Sequence, residues 1–119
     1  MNWFLAKIIF RIVCGNGMHT PQFDKQLRLI QAEDETKAYE KACLVGEQEQ
    51  VSFLNHQEQL IQWKFINVSE LYKLSALIDG AELYSRVQEV DDADHYIGVV
   101  NKKAAHIKEK VTHQLLQLF

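Results

Sequence analysis

"WFLAKIIFRIVCGNGMHTPQFDKQLRLIQA", residues 3 to 32, holds two alternating stretches around a glycine-rich break, and how they alternate decides the fold. Counting by twos from Phe4 gives Phe4, Ala6, Ile8, Phe10, Ile12 and Cys14, an unbroken apolar row; the other register gives Trp3, Leu5, Lys7, Ile9, Arg11 and Val13. Side chains of a strand alternate between faces, so this is a long strand with one fully apolar side. From Phe23 the alternation resumes and predicts a second strand, antiparallel to the first. Phe23, Leu27 and Leu29 fall on one side, taken as the core, and Asp24, Gln26 and Arg28 on the other. Between the strands, Gly15-Asn16-Gly17 supplies left-handed backbone positions for a hairpin loop and Pro21 stiffens its exit.

The period then changes. In "DETKAYEKACLVGEQEQ", residues 34 to 50, Ala38, Ala42 and Val45 recur at helical spacing, Asp34 is the natural N-cap and Glu35 suits the positive end of the helix dipole. "SFLNHQEQ" leads out of the helix toward a third strand, in which Ile61, Trp63 and Phe65 alternate with Gln62, Lys64 and Ile66. Residues 69–78 fit either a bent continuing strand or a helical turn, and Asp79-Gly80 is a turn in both cases. "AELYSRVQE", residues 81 to 89, supplies a fourth strand with Leu83 and Val87 inward and Tyr84 and Arg86 outward. A long amphipathic helix over 92–117 follows, capped by Asp91 or Asp92, with the stripe Ala93, Ile97, Val100, Ala104, Ile107, Val111 and Leu118 and with Leu115 beside it. The order β-β-α-β-β-α predicts an α+β fold: a four-stranded antiparallel sheet with helices packed on one face, in a single domain over 1–119.

Several of these residues form a familiar set: Trp3-Phe4 opening the first strand, "LRLIQAEDETKAYEKA" from strand to helix, Phe53-Leu54-Asn55 followed by "QWKFINVSEL", and above all "DGAELYSR", residues 79 to 86. Together they resemble the bacterial domain-of-unknown-function family 4288 over about residues 3 to 88. The resemblance implies a small α+β domain of bacterial origin, and it brings no activity and no catalytic residues with it. The loop from Cys14 to Phe23 and the long C-terminal helix depart from the family pattern.

A formal charge of −3 argues against a generally basic nucleic-acid-binding protein. Cys14 and Cys43 stand in apolar surroundings without metal or disulfide spacing, so they read as buried free thiols in a reducing compartment, which favours the cytoplasm. Lys7 and Arg11 interrupt the apolar N-terminal run, and no run is long enough to cross a bilayer, so neither secretion nor a membrane role is expected.

Three constellations carry chemistry. Cys14 and His19 could serve as nucleophile and base, but without an orienting third group the hairpin explains the loop better; Cys14 is then buried and His19 free in solvent. Asp91 and His95, spaced i,i+4, could begin a metal site, yet acidic residues at a helix start are ordinary capping, so neither a metal nor a cofactor is expected. The third is the sheet face away from the helices. Strand alternation gathers Lys7, Arg11, Arg28, Lys64 and Arg86 there against Asp24 and Glu82, a surplus of about three positive charges, beside Trp3 and Tyr84. Leu5, Ile9, Val13, Ile30, Ile66 and Val68 share it. Cations among aromatics resemble single-stranded nucleic-acid platforms, whereas so large an apolar load calls for cover by a second subunit. The load decides: a non-enzymatic interaction module, homodimeric, is expected first, a binder of single-stranded nucleic acid or another polyanion second, and a Cys14/His19 enzyme third.

Overall fold

Phe4, Ala6, Ile8 and Phe10, the row that alternation sets on one side of the first strand, are all buried in the computed structural model, which describes the backbone of residues 1–117 and the side chains of residues 1–112. They belong to β1 (Asn2–Cys14), followed by β2 (Gln22–Ala32), α1 (Glu35–Gln48), β3 (Val51–Leu54), β4 (Leu60–Leu74) and α2 (Ala93–Gln117). The four strands form one sheet in the order β2-β1-β4-β3, antiparallel throughout. The chain divides into two compact units, Met1–Ser85 and Arg86–Phe119.

In the first unit α1 lies on the inner face of the sheet. Asp34 caps it, its Oδ1 accepting from the Lys37 amide at 2.8 Å. Ala38 and Ala42 are fully buried, and these small side chains let the helix approach closely over Phe4, Ala6, Ile8, Phe10 and Ile30. Burying side chains as large as Ile8 and Phe10 stabilises by about 1.5–3 kcal/mol each. Phe65 meets Phe10 edge to face, with ring centroids 6.1 Å apart.

Two strands differ from the sequence expectation. The edge beside β4 is occupied by Val51–Leu54, which leads from α1 into a tight hairpin held by Asn55, whose Oδ1 accepts from the amides of Gln57 and Gln59 at 2.9 Å each. Residues 81–89 form no strand. Their alternation is only a local pattern, and a strand also needs an edge to pair with. Instead Tyr84 packs against Tyr72, ring centroids 5.6 Å apart. The ambiguous stretch after Val68 continues β4 to Leu74. Its register against β1 slips by one residue between Lys7 and Ile8 and again between Ile9 and Phe10, leaving Ser69 and Ile66 as bulged residues.

The inward side of β2 is also reversed. Phe4 pairs with Ile30, Ala6 with Arg28, Ile8 with Gln26 and Phe10 with Asp24, so the even residues of β2 share the face of α1. Ile30 and Ala32 are buried in the core, whereas Phe23, Leu27 and Leu29 point the other way.

In the second unit Asp92 caps α2, accepting the His95 amide on Oδ1 and the Tyr96 amide on its carbonyl, both at 3.1 Å. The stripe residues Ile97, Val100, Ile107 and Val111 are exposed. Leu115 and Leu118 lie outside the described side chains. Among the described residues no helix is long and apolar enough to cross a membrane.

Candidate functional site

Pairing fixes which residues share the outer face, because side chains opposite each other across antiparallel strands point the same way. From β1 it receives Trp3, Leu5, Lys7, Ile9, Arg11 and Val13; opposite them β2 sets Phe23, Lys25, Leu27, Leu29 and Gln31, and β4 sets Lys64, Glu70, Tyr72 and Leu74. The charge of the face is therefore rearranged. Lys7, Arg11 and Lys64 stand where the sequence places them, but Arg28 and Asp24 lie on the opposite face and Arg86 begins the second unit. Ile30 and Val68 leave the face for the core. Lys25 joins it, and Glu70 neutralises Lys7 through an ion pair of 3.0 Å.

The apolar part falls into two zones. Near Trp3 the face is better covered: Leu5 and Leu74 are buried, and Tyr84 lies against Tyr72, both rings keeping an exposed edge. Partial burial, and then the Glu70 carboxylate to which it donates at 3.1 Å, hold the Tyr72 hydroxyl above its ordinary pKa of 10.0. Along β2 the face is open. Phe23, Leu27 and Leu29 are 50%, 54% and 51% exposed, in a row on the edge strand of the sheet. The Arg11 guanidinium lies 6.0 Å from the Phe23 ring centroid, and Arg11 is paired directly with Lys64. Neither cation has a carboxylate in ion-pair reach among the described residues.

The inner side of β2 carries a polar row that sequence reading did not assemble. Trp63 Nε1 donates to Asp24 Oδ2 at 3.2 Å, Gln26 Nε2 donates to the same oxygen at 2.7 Å, and Arg28 donates to Gln26 Oε1 through Nη2 at 2.7 Å and Nε at 3.1 Å. Arg28 also reaches Glu49 at 3.5 Å. Trp63, stacked on Phe53, forms with Asp24 and Glu49 part of the wall of an open cleft of about 410 Å³. The signal in the sequence is the same-parity spacing of Asp24, Gln26 and Arg28, a parity that apolar count alone places on the outer face.

The loop after β1 is a structural turn with its own lock. Gly15 and Gly17 adopt φ of 57° and 80°, as a glycine hairpin requires. Cys14 is half-buried rather than buried, and so is Cys43; both are free. His19 is not free in solvent: its Nε2 accepts from the Cys14 amide at 3.0 Å and its Nδ1 lies 2.9 Å from the Thr20 carbonyl oxygen. The imidazole is thus engaged with the backbone of Cys14. Among the described residues no group of three or more His, Cys, Asp or Glu side chains is arranged to hold a metal ion.

A family model described as a domain of unknown function, DUF4288, matches residues 3–85, and the match stops where the first compact unit ends. No curated protein and no solved structure matches the chain.

Proposed function

The chain belongs to the DUF4288 family of domains of unknown function, and on that premise we propose that the domain is a non-enzymatic interaction module whose partner is a second copy of itself. The observation that carries this is the open row Phe23, Leu27 and Leu29 on an edge strand. Apolar side chains in such a row are stabilised by cover, and an edge strand also offers unpaired backbone groups to a neighbour. A homodimer would supply both at once. Two free cysteines suit a reducing compartment and support a cytoplasmic setting.

Light scattering during size-exclusion chromatography tests this. The unmodified chain should elute at twice its own mass, and Leu27→Lys combined with Leu29→Lys should return it to the monomer with its circular dichroism unchanged. A chain that stays monomeric at tens of micromolar would overturn the proposal.

A second reading rests on a different observation. Arg11 and Lys64 face each other across neighbouring strands, and like charges so placed are relieved by a bound anion. The phosphates of a single-stranded nucleic acid, or of another polyanion, would supply it, with Lys7 and Lys25 on the same face.

A further inference from the structure

We propose that two copies of the chain pair β2 against β2, antiparallel, with the two-fold axis at Gln26, so that their sheets join edge to edge. This rests on the self-association reading above and adds the surface and register of the contact.

β2 is a usable edge. Its register against β1 runs from Gln22 to Ala32 without a slip, and its interior contains neither proline nor bulge, two of the devices that prevent edge pairing; the charges it does carry, Asp24, Lys25 and Arg28, restrict which partner registers are possible. Its backbone phase is also fixed. The Gly15 amide donates to the Leu60 carbonyl at 2.7 Å, so the odd residues of β1 bond toward β4 and the even ones toward β2. Even residues of β1 pair with even residues of β2, so Phe23, Lys25, Leu27 and Leu29 turn their N–H and C=O groups outward. The Gln31 carbonyl agrees, since it accepts from Lys41 Nζ at 3.0 Å.

A two-fold antiparallel pairing must then set odd residues against odd ones, so the axis passes through a residue position rather than between two. An axis at Asp24, Lys25 or Arg28 would put a charge opposite its own copy. An axis at Leu27 would set Asp24 against Ile30 and Phe23 against Gln31. With the axis at Gln26, Asp24 meets Arg28 of the second copy and Arg28 meets its Asp24, while Phe23 and Leu29 pair on the outer face. This register makes the Asp24–Arg28 and Phe23–Leu29 contacts twice each, and it lays the apolar stem of Lys25 along Leu27 of the second copy. Hydrogen bonds from Gln26 and Arg28 along the inner row already hold the two charged groups on the edge strand.

The test mixes two variants. Asp24→Arg alone and Arg28→Asp alone each place like charges opposite each other at both sites and should weaken the dimer about tenfold or more. When the two variants are mixed, opposite charges face each other at both sites, and a heterodimer should form. In a Cys14→Ser, Cys43→Ala background, Gln26→Cys should oxidise to a covalent dimer, because position 26 is a close non-hydrogen-bonded pair with itself; Ser52→Cys on β3 should not. If the chain is dimeric but the mixture gives no heterodimer and Gln26→Cys crosslinks no better than Ser52→Cys, the register is wrong and self-association stands. If the unmodified chain is monomeric, both fail.

Discussion

The Phe65 ring lies directly over Gly46, where a Cβ would overlap it, and this contact closes the last turns of α1 onto β4. Gly46→Ala should therefore destabilise the domain. Alanine gains about 1 kcal/mol over glycine in a helix interior, but overpacking a tight contact costs about 1–3 kcal/mol and wins unless the ring can move away. A urea titration should show a lower midpoint, and an unchanged or higher one would mean that the ring yields.

His19→Ala should destabilise by about 1 kcal/mol, because it leaves the Cys14 amide without its acceptor. Labelling of Cys14 by a thiol reagent should not slow in this variant, since the imidazole bonds the backbone of Cys14. Labelling that slows when His19 is removed would show that the ring activates the thiol and would restore the enzyme reading.

Oligonucleotide binding separates the second reading from the first. If the outer face binds a polyanion, fluorescent single strands should associate with the protein in low salt and dissociate steeply as salt rises. Lys7, Arg11 and Lys64 changed together to Gln should abolish the binding. Absence of salt-sensitive association with the unmodified chain would remove polyanion binding from consideration.

Much of the fold can be read from the sequence, and the misreadings have physical causes. The row from Phe4 to Phe10 and the cap at Asp34 are local signals, and the structure contains both. Only the end of β4, from Ser69, fits a helical turn as well as a strand, because the bulge there places the core-packing residues Val68 and Leu71 three apart, a spacing that imitates a helix. β3 has only four residues, too few for alternation to stand out, whereas residues 81–89 alternate without a strand partner. The reversal of β2 matters most for function. By apolar count its odd side reads as the core, but pairing Phe4 with Ile30 turns Phe23, Leu27 and Leu29 outward and brings Asp24, Gln26 and Arg28 together within one face. Part of the basic face was thereby lost, and the open apolar edge became visible only through the register.

Backbone hydrogen exchange along β2 tests self-association through this edge most directly. The outward amides of Lys25, Leu27 and Leu29 have no strand partner among the described residues of one copy and would gain one when two copies pair. Amide exchange followed by nuclear magnetic resonance should find these three protected at high protein concentration and progressively less so on dilution, while the core amides of β1 stay protected throughout. Fast exchange at Lys25, Leu27 and Leu29 at every concentration would contradict the account.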